Sequence, residues 1–184
     1  MSLNRYIPEL LQILSKYKPL NDLEALHHKR MIHFLDTASA PFSRQTAEGH
    51  LTVSAVLADQ PVTHVLLIWH EKLQRWLQPG GHCEERIDRT TQDAALRELY
   101  EETGIDPSGV SSLQNGPFDL DIHLIPGSHG EGEHLHYDLR YAFILKKCLN
   151  PTRCRWKPIS EVISFEDESI ARFARKLSGF AGPE

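Results

Sequence analysis

The sequence predicts a protein of mixed helix and strand, an α+β or α/β/α layout preceded by a helical extension. Three observations carry this. Apolar residues recur at helical spacing over residues 3–35, then alternate or run together in short stretches from His50 onward. One helical segment, 91–103, lies among those strand-like stretches, and a second amphipathic pattern closes the chain. Strands that surround one helix and are followed by another can be buried on both faces, which is how layered α/β domains are built.

Leu3, Ile7, Leu10, Leu11 and Leu14 share one face of a helix over residues 3–17. Pro19 ends it, and Asn21-Asp22 can cap a second helix over 23–35. The Ser, Pro and Gly of residues 38–49 mark the linker, so residues 1–40 read as a helical extension and 41–184 as the main domain. Strands follow at 51–57 and 63–69, separated by a turn at 59–61. A short strand at Trp76 and Leu77 runs into the turn Pro79-Gly80-Gly81. After the helix at 91–103 and a turn at 106–109, strands are expected at 118–125, 135–145 and 153–156, then a helix at 165–177. There is no internal repeat.

The bulk properties exclude several classes. A formal net charge of -5 argues against nucleic acid and anionic membranes as partners, since both want a basic surface. The longest apolar run, Val65 to Trp69, is too short to span a bilayer. The first residues lack the pattern of a secretory signal. Cys83, Cys148 and Cys154 are odd in number and unrelated in spacing, which suggests free thiols in a reducing compartment. A cytoplasmic protein acting on a small molecule is the expectation.

The stretch RELYEETGI, residues 97–105, places three glutamates within five positions at the C-terminal end of the central helix. Thr90 with Asp93 resembles a capping box, and Gly104 suits the left-handed residue that ends many helices. At about 100° per residue, Glu98, Glu101 and Glu102 occupy a narrow arc beside the apolar arc of Ala95, Leu96 and Leu99. Negative charges at this end of a helix cost roughly 0.3–1 kcal/mol each when exposed. Arg97, four residues before Glu101, offsets only part of that. A hard divalent cation, Mg²⁺ or Mn²⁺, resolves the conflict because it takes clustered oxygen ligands. A solvated acidic face is the plain alternative, but the glycine turn Gly80-Gly81 just upstream offers carbonyl oxygens that could complete a metal shell.

Outside that helix, His134, His136, Asp138 and Arg140 alternate onto one face of a strand, opposite Leu135, Tyr137, Leu139 and Tyr141. The polar face reads either as a substrate or metal wall or as an exposed strand face without chemistry. Zinc through His134 and His136 is conceivable, but two histidines make a weak metal signal. His82 could contact phosphate or simply lie on a loop surface. Cys83 and Trp76 read as packing residues, and His27-His28-Lys29-Arg30 as a solvated helix face.

These motifs together resemble the Nudix hydrolase family. Its signature is Gly, five residues, Glu, seven residues, then Arg-Glu-aliphatic-x-Glu-Glu-x-Gly-aliphatic. The second half stands in full from Arg97 to Ile105, and Gly81 matches the opening glycine. Counting back from Arg97 puts the first signature acid at Arg89, and counting forward from Gly81 puts it at Ile87, so the loop is two residues longer than standard. Glu84, Glu85 or Asp88 could replace that acid. The resemblance covers residues 50–180, including Trp156-Lys-Pro-Ile-Ser-Glu-Val before the last helix.

The resemblance implies an α/β/α sandwich with a mixed sheet and hydrolysis of a diphosphate bond in a nucleoside diphosphate derivative. It implies Glu98 and Glu102 as metal ligands, Glu101 as a further ligand or general base, Arg97 as the residue orienting the cluster, and the Gly80 carbonyl as a backbone ligand. His82, His136, Asp138 and Arg140 are the candidate substrate contacts. The first two helices lie outside the match; they could form a homodimer interface, cover the substrate pocket or complete the core. A catalytically weak or inactive nucleotide-binding or regulatory module is the alternative reading.

Overall fold

The computed structural model describes residues 3–71, 73–127, 132–146 and 154–180. Among them one mixed sheet of eight strands forms the centre. Its spine is β1 (Gly49–Ala58), buried along its whole length, running parallel to β7 (His134–Leu145) over ten paired positions. On the β7 side, β5 (Val110–Ser112) and β6 (Asp119–Ile125) pair antiparallel with successive parts of that strand. On the other side β1 forks. β4 (Gly80–His82) pairs with Thr52 to Ser54, and β2 (His64–His70) pairs at Ala58. β3 (Arg75–Leu77) and β8 (Cys154–Pro158) are antiparallel to β2.

Alternation along β1 and β7 divides the interior. Leu51, Val53, Ala55, Leu57, Leu139, Tyr141 and Phe143 face one core, with Ala94, Ala95 and Leu99 of α3 (Thr91–Thr103). Val56, Ala58 and Ala142 face the other, with Ile170, Phe173, Ala174 and Leu177 of α5 (Glu168–Ser178). The sheet is therefore covered by helix on each side, as its α/β/α pattern predicts.

The N-terminal helices, α1 (Ile7–Leu14) and α2 (Asp22–Thr37), belong to the first of these cores. Leu3, Leu10, Leu14, Met31, Phe34 and Leu35 are buried, and each such side chain contributes about 1.5–3 kcal/mol relative to exposure. Phe34 stacks on Tyr137 of β7 at 3.9 Å between ring centroids. Asn21 caps α2 by accepting from the Glu24 N–H at 2.9 Å. Glu24 in turn is buried, accepts from the Leu120 N–H of β6 at 3.3 Å, and pairs with Lys176 of α5. Of the three roles open to these helices, the packing observed is core completion.

Some local expectations change. The Gly80-Gly81 turn is the start of a strand, β4, because it finds backbone partners on β1. The last helix begins at Glu168, with Asp167 accepting from the Ser169 N–H at 3.1 Å, and a short helix, α4 (Ile159–Val162), precedes it. His27 is not on a solvated face: it is buried and lies 3.5 Å from Asp121. Cys83 is a free, buried thiol; Cys148 and Arg153 lie outside the described residues. Among the described residues no helix is long and apolar enough to cross a membrane.

Candidate active site

The site is built on α3. Thr90 accepts from the Asp93 N–H at 3.0 Å to start the helix, and Gly104, at φ 73°, ends it in the left-handed conformation. Burial of Ala94, Ala95 and Leu99 sets the helix rotation, so Glu98 and Glu102 come over β4. The Gly80 N–H donates to Glu102 Oε2 at 2.9 Å. At Gly81 a Cβ would fall 2.6 Å from the Glu98 carboxylate, so only glycine leaves that carboxylate its place.

Arg97 ties the cluster to the preceding loop. Its guanidinium donates to Glu98 at 2.8 Å, Glu101 at 3.2 Å, Asp88 at 2.9 Å and the His82 carbonyl at 2.7 Å. Asp88 is buried and also accepts from the Glu84 N–H at 2.7 Å, which closes the long loop on itself. Of the three acids that could stand in for the displaced signature glutamate, Asp88 occupies the position that anchors loop to helix. Ile87 and Arg89, the residues that strict spacing points to, are exposed.

The electrostatics show a cluster short of positive charge. Burial raises the Glu98 carboxyl above its usual range; Arg97 lowers it, while Glu101 and Asp88 raise it further. Burial, with the charges of Glu98 and Glu101, pushes Glu102 up to about 7 against the opposing Gly80 N–H. Carboxylates crowded in this way, beside a backbone that only glycine can supply, form an all-oxygen donor set suited to a hard divalent cation.

This arrangement is accompanied by a match to the NUDIX domain over residues 49–175, more than half of the chain. The chain belongs to the Nudix family. Solved structures agree at the level of fold. An Ap4A hydrolase from C. elegans aligns at a TM-score of 0.53 and 16% identity, covering 71% of this chain and 96% of that one. The E. coli dihydroneopterin triphosphate pyrophosphohydrolase aligns at 0.50 and 17%, covering 71% and 94%. Among curated proteins none matches the sequence. The Nudix match begins at Gly49, the first residue of β1, so α1 and α2 lie outside it while packing into the same core as β1 and β7.

The remaining predicted residues of the Nudix domain lie elsewhere. On β4, the Gly80 Cβ direction points at Ser54 and that of Gly81 at Glu98, so alternation sends His82 to the sheet face away from Glu98. His136 is on that same face, with ring centroids 5.3 Å apart. Asp138 and Arg140 are also there, but they are not on an open wall. Both are buried and committed to protein partners. Asp138 accepts from Ser54 at 2.9 Å and from Arg140 at 3.0 Å. Arg140 also meets Asp119 at 3.2 Å, Asp121 at 3.1 Å and the Ser169 carbonyl at 2.8 Å. Arg172 of α5 completes the network with Asp119 at 2.8 Å and Asp121 at 3.2 Å. Asp138 and Arg140, expected from the sequence as substrate contacts, therefore lie in the interior, with Arg140 bonded to Ser169 of α5.

Burial lowers His82 to about 4, with the charges of Arg44, His50 and His134 adding to it. Burial and four neighbouring histidines, led by His123, lower His136 to about 2. Sequence reasoning missed His50 and His123. His50 stands in the same alternation as Thr52 and Ser54, and His123 in that of Asp119 and Asp121, so both were visible as members of polar faces but not as neighbours.

Proposed function

We propose that this Nudix protein is a metal-dependent hydrolase of a diphosphate bond in a nucleoside diphosphate derivative or related compound, working with Mg²⁺ or Mn²⁺. The observation that carries the proposal is the packing of Glu98, Glu101 and Glu102 against the Gly80-Gly81 backbone under the control of Arg97. Glu98 and Glu102 are the ligands, and the Gly80 carbonyl is the backbone donor beside them. A divalent cation held there supplies positive charge against phosphoryl oxygens and acidity to water. Glu101 has the most exposed carboxylate of the three, half open to solvent, and is the general base positioned to take the proton of the attacking water. Arg97 keeps Glu98 and Glu101 in register through its hydrogen bonds and, through Asp88, keeps the loop closed over the helix.

The enzymes among the fold relatives act on a dinucleoside polyphosphate and on a pterin triphosphate. Both are phosphoanhydrides, which supports the bond class and leaves the leaving group to experiment. The test is a phosphate-release screen over nucleotide-sugar, dinucleotide and nucleoside-triphosphate panels, run with Mg²⁺, Mn²⁺ or chelator on wild type and Glu102→Gln. Loss of a stabilisation of several kcal/mol predicts a fall on the order of 10²–10⁴-fold in the variant. An undiminished rate in folded Glu102→Gln refutes that ligand assignment. No release from any compound by folded wild type favours a nucleotide-binding module instead.

A further inference from the structure

The face of the sheet away from the glutamates carries a second group of metal-competent side chains. His50 of β1, His82 of β4 and His136 of β7 each offer a ring nitrogen, and the three nitrogens lie within 4.8 Å of one another. The ring centroids of His50 are 4.9 Å from His82 and 4.8 Å from His136. Two further rings border them: His134 lies 5.2 Å and His123 5.5 Å from His136. Pairing register makes this possible, because His50 is directly opposite His136 on one side of β7 and His123 is opposite it on the other.

We propose that His50, His82 and His136 bind a divalent transition-metal ion of the zinc class, with His134 and His123 available as further ligands. Zinc–nitrogen bonds of about 2.0–2.1 Å in tetrahedral geometry set ligand nitrogens about 3.4 Å apart, so the rings close by ~1.4 Å or less on binding. Imidazole donors select zinc, copper or nickel, whereas magnesium and manganese prefer oxygen. The two sites on this chain therefore differ in donor chemistry as well as in face.

The bordering histidines are set up as ligands by their outer partners. His134 Nδ1 is 2.9 Å from the Gly132 carbonyl, which can only accept, so Nδ1 carries the proton and Nε2 the lone pair. His123 Nδ1 is held 3.1 Å from the Asp121 carboxylate, the carboxylate–histidine arrangement that fixes a metal-binding tautomer. Asp121 is itself locked by Arg140 and Arg172. An ion held by the three joins β1, β4 and β7, with β6 added through His123, one residue from the Gly81 backbone that frames Glu98.

This inference is independent of the hydrolase reading. The test uses the full chain with any affinity tag removed, stripped by chelator and kept in excess Mg²⁺ to occupy carboxylate sites. Zn²⁺ is titrated against a chromophoric chelator, and Co²⁺ binding is followed by its visible absorption. The expected result is one equivalent bound by wild type and by Glu102→Gln, with affinity at least tenfold weaker in His82→Asn and in His136→Gln. Long-range ¹H–¹⁵N spectra of wild type read the same site without substitution: the ring signals of His50, His82 and His136 should shift together on adding Zn²⁺. Unmoved ring signals overturn the proposal. So does tight binding that survives both histidine substitutions, or binding that Glu102→Gln abolishes.

Discussion

Replacing Gly81 by alanine tests the active-site geometry at a single atom. The new Cβ would lie 2.6 Å from Cδ and both carboxylate oxygens of Glu98, where ordinary contact begins at 3.4 Å. The carboxylate must therefore retreat by about 0.8 Å, away from the position in which Arg97 Nη1 holds it at 2.8 Å. Misplacing a catalytic group by about 1 Å can cost about 10²-fold in rate, so a fall of roughly 10–100-fold in kcat is expected at saturating Mg²⁺. Stability should change little, because the obstacle is the end of a flexible side chain. An off-rotamer glutamate costs about 0.5–1.5 kcal/mol, which lowers the melting temperature by about 1–6 °C in a chain of this size. Gly109→Ala is the control, since its Cβ enters open space. Initial rates on the substrate found by the release screen, with melts of both variants by circular dichroism, decide the matter. A Gly81→Ala enzyme at wild-type rate refutes the claim that Glu98 needs this glycine.

The buried charge network yields two further predictions. Asp119→Ala leaves Arg140, Arg172 and Lys176 facing a buried gap, since Asp119 is fully buried and paired to all three. Removing one member of such a group costs about 3–5 kcal/mol, a drop of about 6–20 °C in melting temperature; a loss under ~1 kcal/mol by urea unfolding refutes the structural role given to Arg140. Burial alone raises the Asp119 and Asp121 carboxyls, but Arg172, Arg140 and their other cationic neighbours more than offset it and hold both below the usual range. Their stabilisation is complete above the unfolded value of about 4 and is lost as pH falls below it. Melts from pH 7 to pH 3 should thus show a falling stability in acid that is shallower in Asp119→Asn, and equal slopes contradict the assignment.

The glutamate cluster was legible in the sequence because every device that makes it is local. Helical periodicity alone places Glu98, Glu101 and Glu102 on one arc, and Thr90 and Gly104 delimit the helix with hydrogen bonds spanning three or four residues. The stand-in of Asp88 for the missing signature acid needed the fold. Three nearby acids were equal candidates along the chain, and only the loop's closure onto Arg97 separates them.

Alternation likewise identified the polar face of β7, since period 2 follows from strand geometry. It could not say what covers that face. Ser169, Arg172 and Lys176 arrive from the last helix, Ser169 bonding Arg140 directly and the two cations pairing with Asp119, and Asp138 and Arg140 are interior. The same limit applies to the N-terminal helices, whose apolar stripe does not say by itself that Phe34 stacks on Tyr137 of a strand a hundred residues later. The histidine group depends on strand register most of all. His50, His82, His123 and His136 come from four strands, and pattern within a strand specifies a face but never the partner opposite. Sequence determined the chemistry of the helix; tertiary pairing decided which distant side chains share a site.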